Sequence, residues 1–354
     1  MHSTRSRIAV AFLLTILVSL VFSAPVFADS LSAKKAAAAR AQAQVEELNA
    51  KAEIASENYN LARGKYDKLN DKVKSTERQI KKLEKRQKYL QTHLNTRVSE
   101  MYRNGPHGYI TVLLSMRTFE DFESTSRVLA DLNEKDAATV SELKASKASA
   151  QKARATLVAS RKEAKRQKDA MAASAKAVET QLAARKRLFA GLTAEIQALV
   201  AKRLAAQSSS EQARTMKLLL KQKTAASGGV YLGGKPASSK AAAAVYYAEK
   251  EIGKPYVWAA DGPDSFDCSG LMLWAYGKVG IDLTHYSGSQ IKEGKRVSRS
   301  QLKPGDLVFF GSPIHHVGMY VGGDAFVEAP YTGADVRITR LSSRRDFAGA
   351  CRPQ

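Results

Sequence analysis

Proline is missing from two long stretches of this chain. Ser30 to Tyr102 has none and carries a single glycine, Gly64; about Ser124 to Thr224 again has none. Where breakers are absent a helix can run on, so both stretches permit very long helices. Cysteine is scarce as well. Cys268 and Cys351 are the whole complement, too few for a disulfide framework. Long apolar runs are also lacking. The longest, Ile8 to Phe22, is shorter than a comfortable membrane span of about 20 residues. It follows Arg5 and Arg7 and precedes Val26-Phe27-Ala28, the pattern of a secretory signal peptide over 1–28. An uncleaved anchor is the alternative. Export would leave the wall or the outer membrane surface as surroundings and make nucleic acid an improbable partner.

The first proline-free stretch carries a heptad pattern. One seam reads Val45, Ala52, Tyr59, Tyr66, Val73, Ile80, Gln87, Leu94, Met101; its companion reads Leu48, Ala55, Ala62, Leu69, Thr76, Leu83, Leu90, Arg97. Such a repeat predicts a long coiled-coil helix. Breakers at Arg103-Asn104-Gly105-Pro106-His107-Gly108 end it. The apolar run from Tyr109 to Met116, with Phe119 and Phe122 beyond, reads as a small self-packed tip and, compatibly with that, as a docking surface for another protein. The second stretch has sparser apolar points, among them Leu143, Leu157, Val178 and Leu188. Together the two predict an antiparallel hairpin over 29–224 with its tip around 104–123. Ala225 to Ser239 is rich in Gly, Ser and Ala, as expected of a flexible linker.

The net charge of +22 is unevenly placed. From Lys240 onward 14 Lys and Arg face 12 Asp and Glu, whereas the part before it has 42 against 22. The basic excess therefore lies in the helical half. It suits a polyanionic partner or a plain solvated face.

From Lys240 the texture changes. A helix pattern at Ala241–Ile252 precedes short β-like runs at about Asp306–Phe310, Val317–Val321, Ala325–Glu328 and Val336–Thr339. Helices first and an antiparallel sheet after define an α+β domain. At Asp267-Cys268-Ser269-Gly270 a polar turn delivers a cysteine into the apolar run Leu271 to Tyr276. At a helix N-terminus the dipole lowers a thiol pKa and favours the thiolate nucleophile. His315-His316 opens a strand about fifty residues on. The two side chains point to opposite faces, so one of them can serve Cys268 as base. No second ligand stands at a familiar metal-binding spacing from His315. Cys351 reads as a small buried hydrophobe.

The motifs Gly253-Lys254-Pro255-Tyr256-Val257-Trp258, Asp267-Cys268-Ser269-Gly270, Leu302 to Phe310 and His316-Val317-Gly318-Met319-Tyr320-Val321-Gly322, in this order, resemble the NlpC/P60 family of cell-wall cysteine peptidases over about 240–354. The resemblance implies a papain-like α+β domain that needs no cofactor or metal. It implies Cys268 as nucleophile, His316 as base and Glu328, where many relatives have histidine, as the group that orients the imidazole. A carboxylate there predicts a charged Cys268–His316 ion pair. Tyr256 matches the family tyrosine near the developing oxyanion; Asp267 and Ser269 match residues that contact substrate peptides. Trp258-Ala259-Ala260 and Leu283-Thr284-His285 depart from the family's Trp-Gly-Gly and Leu-Pro-Arg, which alters the cleft.

The implied activity is hydrolysis of the γ-D-glutamyl bond to the third residue of peptidoglycan stem peptides, diaminopimelate or lysine. An amidase or acyltransferase of the same superfamily is a further reading. The helical half resembles that of division-associated peptidoglycan hydrolases, which implies a role in cell separation, an FtsE–FtsX-type membrane complex at the tip and a hairpin that covers the cleft. The competing reading is an interaction protein whose C-terminal domain is inert. The sequence leaves open whether the hairpin closes within one chain or between two.

Overall fold

The computed structural model describes residues 31–104, 115–223 and 239–354. The segment expected as signal peptide, all but Ser239 of the expected linker, and half of the tip lie outside them. Helix α1 runs Leu31–Asn104, 74 residues, and α2 runs Phe119–Ala190, 72 residues. At 1.5 Å per residue each is about 110 Å long. Thr118 caps α2 by accepting from the Asp121 amide at 3.1 Å. Both helices belong to one chain and run antiparallel: Arg86 meets Glu142 at 2.6 Å, Glu84 meets Arg154 at 2.7 Å and Glu77 meets Arg161 at 2.6 Å. Seam residues Val45, Ala52, Ala55, Ala62, Ile80 and Leu90 are buried, as are Leu143, Ala150, Ala153 and Val178 opposite.

The second helical stretch departs from the expected single run. It begins at Phe119, then breaks at Gly191-Leu192-Thr193 and resumes as α3, Ala194–Lys223. A glycine followed by a threonine whose hydroxyl accepts from the Ile196 amide at 3.4 Å supplies both a stop and a fresh start. Helix α3 turns back onto the start of α1, burying Val200 against Ala38 and Ala41, and packs along strand β5.

The C-terminal unit holds helices α4, Lys240–Glu249; α5, Cys268–Gly277; and the single turn α6, Ser287–Gln290. Six antiparallel strands follow: β1 Gly294–Val297, β2 Leu307–Phe310, β3 His316–Gly322, β4 Ala325–Glu328, β5 Arg337–Arg340 and β6 Phe347–Pro353, in the order β1-β6-β2-β3-β4-β5. Helices α4 and α5 cover one face and enclose Leu271, Met272, Tyr276, Leu307, Phe309, Met319 and Val327. Phe310, Phe326, Val308 and Leu341 build a second cluster on the other. Four of these strands match the β-like runs of the sequence; β1 and β6 do not appear among them. Gly294-Lys295-Arg296-Val297 shows no apolar alternation, and β6 carries Gly349 and Pro353; pairing within the sheet overrides weak local preference.

Gly318, in β3, allows the β3–β4 pair to close. A Cβ there would lie 2.4 Å from Phe326 Cδ2 and 2.7 Å from the Val327 carbonyl oxygen, contacts that only a backbone shift could relieve. Gly318→Ala is expected to destabilise the C-terminal unit by about 1–3 kcal/mol, the usual cost of overpacking. Denaturant melting followed by tryptophan fluorescence, Trp258 and Trp274 being the two reporters, would read it as a lower midpoint. An unchanged midpoint would refute the packing argument.

Candidate active site

Cys268 is the first residue of α5, placed there by its neighbours. Asp267 caps the helix, accepting from the Gly270 amide at 2.7 Å, and its own amide donates to the Ala260 carbonyl at 2.8 Å. The helix start thus presses on the 260–261 loop. Gly270 is required there, since a Cβ would stand 2.2 Å from the Ala260 oxygen. Both cysteines are free and buried, and Cys351 Sγ donates to the Gln290 carbonyl at 3.2 Å. Burial first, with the nearby carboxylate of Asp306, pushes the Cys351 thiol up to about 12. It is the passive buried thiol its position suggested.

His316 opens β3 and is fully buried; Glu328 ends β4. The register pairs Met319 with Val327; one step further sets Glu328 opposite Gly318, two residues from His316 and on its face. His316 Nε2 and Glu328 Oε2 lie 2.8 Å apart. Glu328 also accepts from Thr339 Oγ1 at 2.6 Å and Arg337 Nε at 3.1 Å. Burial works against its charge, but the bond to His316 and the charges of Arg337 and Arg344 hold its carboxyl well below the usual range. A fixed carboxylate on Nε2 leaves Nδ1 as the imidazole's working atom. His315 turns away, its Nδ1 2.8 Å from the Pro313 carbonyl oxygen.

Asp267 and Ser269 are buried, not open to solvent. Their partners include residues that sequence reasoning did not single out for the site. Asp267 receives Asn60 Nδ2 at 2.8 Å and pairs with His285 Nε2 at 2.8 Å. Ser269 Oγ donates to Glu57 Oε1 at 2.6 Å, and the Ser287 amide donates to Glu57 Oε2. Glu57 Oε1 lies 3.6 Å from Cys268 Sγ, and Glu53 Oε2 lies 3.6 Å from His316 Nδ1. Tyr59 stacks edge-on against Trp258 with centroids 5.1 Å apart. One face of α1, from Glu53 to Asn60, therefore lies in the cleft over the thiol and the imidazole. Arg185 of α2 adds a bond to the Thr332 carbonyl. Beside Glu328 a polar cavity of about 360 Å³ remains between the hairpin and the sheet domain, lined by Glu46, Glu53, Arg337, Arg344 and Asp346 among others.

This covering reverses two expectations. Cys268 does not profit from its helix start, because burial and the neighbouring Glu57, Asp267 and Glu53 push its pKa well above the usual range. Burial likewise lowers His316. Both shifts disfavour the ion pair expected between Cys268 and His316 while the site is covered. Glu57, Asp267 and Cys268 each offer one atom within 4.8 Å of the others, so three acids share one dry site. Burial raises Glu57 and Glu53 in turn. Burial by itself would lower His285, but Asp267 holds it above its ordinary value. Tyr256, in the same core cluster as Cys268, is kept a neutral phenol by burial.

An α+β unit with a cysteine at a helix start and a carboxylate-bound histidine on the adjoining strand belongs, by fold and by site, to the papain-like class. Residues 253–346 match the NlpC/P60 family, so this segment of the chain is similar to that family's domain. Among similar proteins, the probable endopeptidase p60 of Listeria grayi is 45% identical over 91 residues, 25% of this chain and 18% of that one. The peptidoglycan endopeptidase RipA of Mycolicibacterium smegmatis is 44% identical over 103 residues, 25% of this chain and 21% of that one. The chain thus spans about a fifth of these relatives' length. Of solved structures, the NlpC/p60 domain of the peptidoglycan hydrolase SagA is 38% identical and aligns over 97% of its length and 31% of this chain, TM-score 0.30.

The covered site makes a kinetic prediction. The carboxyls of Glu53 and Glu57 are raised while covered, so covering takes up protons. It is favoured at low pH and weakens as pH rises through those elevated values. The lowered His316 acts oppositely, but only near and below its ordinary 6.5. Alkylation of Cys268 by iodoacetamide should therefore climb more steeply with rising pH in the native chain than in Glu53→Gln/Glu57→Gln. Parallel profiles would rule out this coupling.

Proposed function

We propose that the chain is a secreted peptidoglycan endopeptidase of the cysteine-peptidase type. The His316–Glu328 pair beside the buried Cys268 at a helix start carries the reading, because it is the apparatus that thiol acyl transfer needs. The Cys268 thiolate attacks the γ-D-glutamyl carbonyl to the third stem-peptide residue. His316 protonates the leaving amine, then activates the water that releases the acyl group, while Glu328 keeps the imidazole oriented. The Cys268 amide and the Tyr256 phenol stabilise the oxyanion. Asp267 and Ser269, with the Ser287 amide, contact the substrate where they now hold Asn60 and Glu57. The domain layout assigned from sequence, 29–224, 225–239 and 240–354, accompanies this reading. Among the described residues no helix is long and apolar enough to cross a membrane.

The hairpin is the regulator in this proposal. With Glu57 in the cleft no stem peptide can reach Cys268, so a partner must draw α1 away. The distal end offers such a partner apolar surface. Tyr102 is 89% exposed, Phe119 81% and Phe122 42%, and the two phenylalanine rings stack at 6.4 Å. An FtsE–FtsX-type complex acting in cell separation fits this role; residues 109–114 of the expected contact lie outside the described ones. The competing interaction-protein reading draws on the same covering, which would also mark a domain that never acts.

A digest of purified peptidoglycan stem peptides read by mass spectrometry decides between them. Glu57→Ala/Asn60→Ala removes the bonds to Ser269, Ser287 and Asp267. Bonds to charged groups are worth roughly 1.5–3 kcal/mol each, so even partial loss should raise cleavage by the full chain about tenfold. Cys268→Ala in that background should abolish it. Adding Glu328→Gln should lower kcat by about two to four orders of magnitude, as for other triads. Equal, Cys268-dependent cleavage with and without the hairpin substitutions would keep the enzyme and remove the regulation. Absence of Cys268-dependent cleavage in every variant would favour the interaction protein.

A further inference from the structure

Positive charge is not spread along the hairpin but gathered in one band. Residues 72–88 of α1 and 144–168 of α2, which lie side by side, carry 17 Lys and Arg against three Asp and Glu. All 17 are exposed. The three acids are already engaged: Glu77 with Arg161, Glu84 with Arg154 and Glu163 with Arg166. Arg86 pairs with Glu142 just outside the band, and Lys74 and Lys165 reach Asp71 and Asp169 at 4.0 and 3.9 Å. The other eleven cations have no acidic partner among the described residues. Toward the tip the sign reverses, with seven acidic residues against two basic over 119–142.

The band works against the helices that carry it. Lys74–Arg78, Arg78–Lys82, Lys81–Lys85 and Lys82–Arg86 stand four apart on α1, as do Arg161–Lys165 and Lys162–Arg166 on α2, and like charges at this spacing repel. Twenty-five residues of helix span about 37 Å. A net charge of +14 over that length approaches one positive charge per 2.6 Å, against one negative charge per about 1.7 Å in a DNA duplex. At 100° per residue the cations fan across the solvent arcs of both helices. They do not line one edge of an apolar face, which binding in a bilayer interface requires.

We infer that this band is a binding site for a flexible linear polyanion, a chain of phosphodiester or phosphate groups that can follow the cations around the hairpin. Its residues stand apart from Cys268, His316 and Glu328, so the site is independent of the proposed chemistry. It would hold the protein on an anionic polymer whether the cleft is open or covered.

Fluorescently end-labelled inorganic polyphosphate, titrated with the full chain at 50–200 mM NaCl and read by anisotropy, tests this. The native chain should bind with an affinity that falls steeply with salt. K81Q/K82Q/K85Q/K162Q/K165Q/K168Q removes six charges while keeping helix-favouring side chains. It should bind at least tenfold more weakly at 100 mM, with a log–log salt slope shallower by about four, some 0.7 per charge on a flexible strand. Circular dichroism should show unchanged helix content. Equal affinity of the two proteins would overturn the proposal. So would binding to phosphatidylglycerol vesicles without binding to polyphosphate, which would assign the band to a membrane surface.

Discussion

The buried carboxylate of Asp267 is the constraint on which the rest depends. It caps α5 and so fixes Cys268, receives Asn60 from the hairpin and pairs with His285 from the loop before α6. A charge placed out of water must be met on several sides to be tolerated. Those sides come from three parts of the chain, so the arrangement of the cleft and the docking of α1 are one problem. Glu57 reaches the same cleft from the hairpin, its two oxygens divided between Ser269 and Ser287. Severing one of these bonds leaves a buried polar group without its partner, so the docked contacts depend on one another.

Covering by α1 changes the setting of the site residues without changing their neighbours in the sheet domain. Cys268 at a helix start is a setting for a reactive thiol, yet with two glutamates and an aspartate packed around it in the dry interface the thiol is quiet. His316 retains its fixed partner Glu328, but its other nitrogen faces Glu53. In the proposed regulation, neither β3 nor α5 need move for the thiol to regain its helix-start setting. Withdrawing one face of α1 readmits water and removes two acids at once.

Much of this was legible in the residues. Absence of proline, the heptad seams and the polar turn at Asp267 pointed to the hairpin, the α+β unit and the position of Cys268. The break at Gly191 is hard to read because alanine-rich helix runs up to it on both sides. Strands β1 and β6 were illegible because sheet pairing, not local composition, makes them. The cleft-covering face carried a signal that was there to be used. Between Lys51 and Arg63 this basic helix has no Lys or Arg, and Glu53, Ser56, Glu57 and Asn60 fall on one side. Periodicity alone treats these as outer positions; only the fold reveals that their solvent is replaced by another domain.

The length of α1 has a mechanical consequence. Glu57 lies about 40 Å from the helix start at Leu31 and about 70 Å from its far end at Asn104. The near portion is gripped by α3 through Ala38, Ala41 and Val200, so the helix is a lever whose fulcrum lies close to the cleft and whose long arm points away. A sideways pull at the distal end is raised roughly three- to fourfold in force where Glu57 sits, at the expense of travel. The hydrogen bonds there need only a few ångströms of displacement to fail, so in the proposed regulation the geometry of α1 favours release by a load applied far from the cleft.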